Sequence, residues 1–251
     1  AMHVANVSTS QTVRVLRDCR DYDLSCIASG FSPLFGGVTT ASIACPNLLF
    51  AEEDVPYGAT VFKVDPPIRH EAHRKALWTA LHSGTVRVVT SGHSPVPPEG
   101  TPSNPGDFSR ALAGSLVGAN ELFLPAFWTA ARREDFDLAD LAHLLAAQPA
   151  NLLRLAPQKG SIRVGADADF CIFDPDSQWT VEASKLVAAT QGCCDSLYDG
   201  KILTGKVVAT ILRGHLVYRR GLFRDNPIGN VISSQSRLVR QSQSACSSSF
   251  S

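Results

Sequence analysis

The chain has 251 residues, 44% of them hydrophobic, with 23 Lys and Arg set against 23 Asp and Glu. That length and apolar content can supply one large core with room for a small appendage, while the balanced charge gives no net field for nucleic acid, an anionic membrane or a polyanionic partner. The seven scattered cysteines include no C-x-x-C pair and follow no secretory segment, which argues against a disulfide framework and leads to the expectation of a reduced, cytoplasmic setting.

The chain opens Ala-Met, and Met2 is its single methionine, so position 1 reads as a processed start or the edge of an excerpt. "HVANVSTS" (3–10) is a short β-like run ending in small hydroxyl residues, and "QTVRVLRDCRDYDL" (11–24) has apolar positions at helical spacing. "CIASGFSPLFGG" (26–37) reads as a loop. "VTTASIACP" (38–46) reads as a second strand that ends in a polar turn, Cys45-Pro46-Asn47.

"FKVDPPIR" (62–69) is an extended loop, because the residue before each proline is pushed out of the helical region. "HEAHRKALWTALHSG" (70–84) is an amphipathic helix stopped by Gly84. A strand from Val86 to Val89 then delivers the polar cluster Thr90-Ser91-Gly92-His93-Ser94-Pro95 at its C-terminal end.

A Pro- and Gly-rich loop, 95–106, leads into "ALAGSLVGANELFLPAFWTAA" (111–131). Asn120, Glu121 and Pro125 interrupt that segment where a membrane span should be uniformly apolar, so it reads as a buried helix. In "DLADLAHLLAAQ" (137–148), Asp137 is the expected N-cap and Leu138, Leu141 and Leu145 the apolar face. Pro149 is then expected to open a further short helix, "PANLLRLA".

From Gly160 the texture becomes β: "SIRVG", "ADFCIFDPD" and "KVVATILRGHLVYRRGLF", with Arg213-Gly214 as a tight turn. The Ser- and Gln-rich segment 231–251 cannot bury enough to fold and is expected to be a disordered tail. Alternating strands and helices followed by a β module imply an α/β fold, with an α/β part over 1–158, a β module over 159–224 and a tail over 225–251.

Four segments together resemble the cyclic amidohydrolases, which include allantoinases, dihydropyrimidinases or hydantoinases, and dihydroorotases: "FKVDPPIR", "SGHSP", "PANLLRLAPQKGSIRVGADADFCIFDPD" and "SLYDGKILTGKVVATILRGHLVYRRG". "GDFSRALAG" followed by "LPAFWTAARR" is most similar to the allantoinase branch. The resemblance implies the C-terminal part of a metal-dependent-hydrolase TIM barrel, about strands six to eight, plus a small β-sandwich module. It also implies a two-zinc site that activates water to open a ring amide such as that of allantoin.

The resemblance further places Asn6 ("HVANVSTS") at a position where the family carries a metal-binding His, and Gly92 ("SGHSP") where it carries an Asp that is both ligand and proton shuttle. Asn47 stands in "CPNLLF" where allantoinases show a site-lining His. The segment 28–38 looks inserted. Gly offers no ligand and Asn no imidazole, so the expectation is a truncated, inactive form with no zinc bound by this chain. The alternative is a non-catalytic homologue acting as an assembly or regulatory partner, as a homo-oligomer or as the complement of a full-length relative, without nucleic acid or membrane.

The remaining candidates are His93, Asn47 and Asp107 as substrate-lining residues, with Arg110 beside Asp107 at the mouth of the site. Cys45, His93 and Asp107 could assemble a fresh zinc site. His70 and His73, three apart on a helix, read as solvated residues, Asp167 and Asp169 as a turn into a strand, and Cys193-Cys194 as two thiols in a turn.

Overall fold

A computed structural model describes residues 2–33, 37–94, 106–109, 111, 119–187 and 196–232 of the chain. The first part alternates strand and helix: β1 (His3–Val4), α1 (Ser10–Ala28), β2 (Thr40–Ala44), α2 (Cys45–Leu49), α3 (Glu71–His82) and β3 (Val88–Thr90). The strands form one parallel sheet in the order β1-β2-β3. The helical layer continues with α4 (Ala119–Ala131), α5 (Leu138–Ala142) and α6 (Gln148–Leu152), and the chain closes with β4 (Phe170–Thr180), β5 (Ile202–Leu212), β6 (His215–Arg219) and β7 (Leu222–Phe223) as one antiparallel sheet. An α/β architecture is therefore present. Among the described residues no helix is long and apolar enough to cross a membrane.

Local chemistry explains most element ends. Thr9 caps α1 by accepting from the Thr12 N–H at 3.2 Å. The helix runs on through Ala28, into what the sequence presents as a loop, and Asp23 near its end is buried and accepts the Thr39 N–H at 2.7 Å. That bond ties the helix to the entry of β2. Gly84 ends the α3 segment in the left-handed region at φ 64, as expected of a C-terminal glycine.

Cys45-Pro46-Asn47 is a helix start rather than a turn. Pro46 occupies the first turn of α2, where its missing N–H costs nothing. Asp137 caps α5, accepting from the Asp140 N–H while Asp140 accepts the Asp137 N–H. The buried face there is Leu141 and Leu144 with Leu145 partly buried, and Leu138 is exposed. Leu141, Leu144 and Leu145 keep the i, i+3, i+4 spacing of one helical face, and Leu138, the first residue of α5, lies outside that stripe; His143–Ala147 then forms a π turn. Pro149 cannot donate to Leu145 and would clash with its carbonyl in a continuous α-helix, so one wider turn absorbs it.

"SIRVG" is not a strand: the loop closes on itself through Ala166 N to Arg163 O and Asp167 N to Gln158 O. β4 instead continues past Asp174 to Thr180, through a register shift at Pro175. β5 and β6 join at Arg213-Gly214 with φ 48 and 82, and β6 and β7 at Arg220-Gly221 with φ 47 and 90. Both are two-residue turns of the mirror-image type that suits strand twist. The 225–251 segment carries no regular structure through residue 232, and 233–251 lie outside the described residues, as do Arg110, Cys193 and Cys194.

One apolar cluster joins the two sheets. Trp78 of α3 stacks on Phe127 of α4 at 5.8 Å and 9°, and its indole N–H donates to the Leu48 carbonyl at 3.1 Å. On the other side of α4, the Trp128 indole donates to Pro175 O at 2.9 Å, and Thr129 Oγ1 accepts the Thr204 N–H at 2.8 Å. β5 approaches so closely because Gly205 has no side chain: a Cβ there would come within 2.2 Å of Phe173 Cζ and 2.8 Å of Trp128 Cδ1, at a φ of 96.

A Gly205→Ala chain should accordingly lose about 2 kcal/mol or more of stability through overpacking and left-handed strain. Urea unfolding is the check, and an unchanged midpoint would mean that β5 does not pack this tightly on α4.

Candidate functional site

The strand register decides which side chains share the polar face of the parallel sheet. His3 pairs with Thr40, Ser42 with Val88 and Ala44 with Thr90. Alternation therefore puts His3, Thr40, Ser42 and Thr90 on one face, while Val4, Ala41, Ile43 and Val89 join the core on the other. A polar row thus crosses the sheet toward its C-terminal end, the end at which α/β barrels place chemistry.

The row is hydrogen-bonded along its length. His3 Nδ1 lies 2.9 Å from Thr40 Oγ1, and Thr40 Oγ1 donates to the Met2 carbonyl at 3.2 Å. His3 Nε2 lies 3.3 Å from Ser42 Oγ, which accepts the Asn6 N–H at 3.3 Å. Thr90 Oγ1 is 3.4 Å from Asn6 Oδ1, to which it donates. These partners are all satisfied when the imidazole is neutral with its proton on Nδ1, since the Thr40 hydroxyl already donates to Met2 and can only accept from His3, while the Ser42 hydroxyl is still able to donate. Partial burial acts in the same direction, pushing the His3 pKa below its usual value.

Asn6 and Gly92, the two positions singled out for metal chemistry, both sit at strand ends with left-handed backbone, φ 53 and 66. Asn6 directs its amide oxygen at Thr90, and Gly92 has no side chain to contribute. Next to Gly92, the Ser91 hydroxyl donates to Asn120 Oδ1 of α4 at 2.7 Å and accepts the His93 N–H at 3.1 Å. The cluster that opens the loop is thereby anchored to α4.

The other candidates are dispersed. Asn47 is buried, and its amide donates to the carbonyls of Pro67 at 3.1 Å and Pro66 at 3.4 Å, bracing the Pro-Pro loop. Asp107 accepts the Ser109 N–H at 3.1 Å. Among the described residues no group of three or more His, Cys, Asp or Glu side chains could hold a metal, so Cys45, His93 and Asp107 do not assemble a fresh site. The donor set present does not fit the zinc pair that the family resemblance implies.

The helix histidines have structural partners: His73 Nδ1 accepts the Ser10 N–H at 3.1 Å at the start of α1, and His70 sits 3.4 Å from Glu52. Asp167 pairs with Lys159 at 2.9 Å, and Asp169 accepts the Arg213 N–H at 2.7 Å, which locks the hairpin turn onto the loop before β4.

Sequence reasoning missed His3 as the hub of the row. The available signal was that Thr40 and Ser42 alternate along one strand; the register that sets His3 beside them is not local. It also missed Cys45 against Tyr198. Both side chains are fully buried, 0% and 1% exposed, and they lie close enough to influence each other's ionisation. The Tyr198 hydroxyl makes no hydrogen bond of good geometry. Burial pushes the Cys45 thiol up to about 12, the nearby hydroxyl acting in the opposite sense, and also raises Tyr198 well above the ordinary phenol range.

Residues 120–218 match the amidohydrolase family. Among curated proteins, the chain is 33% identical to "Probable allantoinase 2" of Dictyostelium discoideum over 92% of its own length and 42% of the relative's. It is 38% identical to an allantoinase of Streptomyces avermitilis over 78% of its own length and 42% of the relative's. Among solved structures, the L-hydantoinase (dihydropyrimidinase) of Arthrobacter aurescens superimposes with a TM-score of 0.73 at 26% identity, covering 88% of this chain and 46% of that one. The chain therefore spans less than half the length of the relatives it matches.

The raised Cys45 pKa has a definite sign in stability. The folded state holds this proton more tightly than the unfolded chain, so its stabilisation is complete below about pH 9 and is lost as pH rises toward about 12. A Cys45→Val chain should lose less stability across that window, read from urea midpoints at each pH. Equal losses would mean the thiol is not buried as described.

Proposed function

This chain belongs to the amidohydrolase family, and from that premise we propose that it is an allantoinase-like cyclic amidohydrolase by descent that does not catalyse ring opening on its own. The observation that carries the reading is the saturated row at the strand ends. Asn6 accepts a hydrogen bond from Thr90, Ser42 and His3 satisfy each other, and Gly92 supplies nothing. A metal-bound hydroxide needs ligands with open lone pairs and a carboxylate to carry its proton; here the polar groups are spent on one another. The allantoinase relatives support allantoin as the first substrate to try. In this reading β1, β2 and β3 correspond to strands six to eight of a TIM barrel, and the four-stranded sheet to one half of a β-sandwich.

A second reading, that the chain serves as a non-catalytic partner, is favoured by the four-stranded sheet. Ile172, Ile202, Leu222 and Phe223 are all exposed on it, Leu222 at 77%. Exposed apolar side chains of this kind favour association with another chain, here a second copy or a full-length amidohydrolase.

The test is zinc content by elemental analysis together with allantoin hydrolysis, on the natural chain and on an Asn6→His, Gly92→Asp double variant. The natural chain should bind less than one zinc per ten chains and show no turnover above buffer, and a full-length allantoinase should retain it on co-purification if the partner reading holds. Stoichiometric zinc with turnover in the natural chain alone would overturn the proposal.

A further inference from the structure

A cavity of about 590 Å³ lies away from the strand ends, between the start of α4 and the antiparallel sheet, within the size range of small-molecule sites. Trp179 forms its apolar wall, and the indole N–H is committed to the Gly205 carbonyl at 2.9 Å, which fixes the ring plane. The Lys206 ammonium lies 6.0 Å from the Trp179 ring centroid. Arg220 lines the same cavity from the second Arg-Gly turn, its backbone held at φ 47.

The lining charges divide unevenly between committed and available groups. Glu182 pairs with Lys185 at 2.7 Å, Glu121 accepts the Val187 N–H at 2.9 Å, and Asp174 accepts the Asp176 N–H at 3.1 Å. Burial also raises the Glu121 pKa. Among the described residues, Lys206 and Arg220 make no ion pair. The cavity therefore offers an aromatic wall with Lys206 over its ring and two cations that make no ion pair among the described residues, while each of its three carboxylates holds one hydrogen bond or ion pair.

We propose that this cavity binds a small planar organic carboxylate, stacked on Trp179 with its carboxylate between Lys206 and Arg220. The guanidinium fork suits a carboxylate bidentately, and an aromatic face favours a flat body over an aliphatic one. Three carboxylates line the same space and repel a dianion such as phosphate more strongly than a monoanion, so the monoanion is favoured. The cavity contains neither Asn6 nor Gly92, so the proposal stands or falls independently of the ancestry argued above.

Benzoate, benzamide and inorganic phosphate are the probes, titrated into the full chain and followed by tryptophan fluorescence and, for the two aromatic compounds, saturation-transfer NMR. Benzoate should bind with a Kd on the order of 1 mM, and the neutral amide and phosphate about tenfold more weakly. A Lys206→Met, Arg220→Met double variant, altered only at exposed side chains, should unfold at the same urea midpoint yet lose benzoate binding about tenfold. Trp179→Leu should weaken benzamide and benzoate alike. Equal binding of benzoate and benzamide, undiminished benzoate binding by the double variant, or no benzoate saturation up to about 10 mM would each overturn the assignment.

Discussion

The stack of Trp78 on Phe127 is the contact on which the arrangement rests, because it joins α3 to α4, whose other side receives the antiparallel sheet. Its Phe127 face meets α3 and the parallel sheet, while its Trp128 and Thr129 side receives β4 and β5. Each ring buries a large apolar area, worth a few kcal/mol. The tryptophan N–H groups are not wasted: Leu48 O and Pro175 O take them. Ser91 of the strand-end cluster is in turn hydrogen-bonded to Asn120 at the start of the same helix. The position of the polar cluster therefore depends on how α4 packs.

The two sheets differ in what they leave uncovered. The parallel sheet buries one face in the common core and lays a hydrogen-bonded polar row across the other. The antiparallel sheet leaves Ile202 and Leu222 exposed, yet carries a walled cavity around Trp179 on the side that meets α4.

The sequence made local features legible and long-range ones illegible. Gly84 as a helix stop, Asp137 as a cap and Arg213-Gly214 as a turn depend on a few adjacent residues, and the structure contains all three. The Leu138 face failed because Leu138 is the first residue of α5, at an end open to solvent, and the buried stripe begins only at Leu141. "SIRVG" has strand composition, but the loop meets its own backbone bonds instead of a neighbour's. At the candidate site, Asn6 and Gly92 were visible through motif resemblance alone. The His3 row and the Cys45–Tyr198 pair were not, since they join residues 37 and 153 positions apart through register and packing.

The row on the parallel sheet has a fixed polarity. At one end the Asn6 N–H can only donate to Ser42, and at the other the Met2 carbonyl can only accept from Thr40. Every hydroxyl between them, and the imidazole proton of His3, must point the same way. Reversing one link would leave a donor facing a donor or a lone pair facing a lone pair. His3 is therefore a poor proton relay where it stands: passing a proton from one ring nitrogen to the other would require the whole row to reorient against two backbone groups that cannot turn.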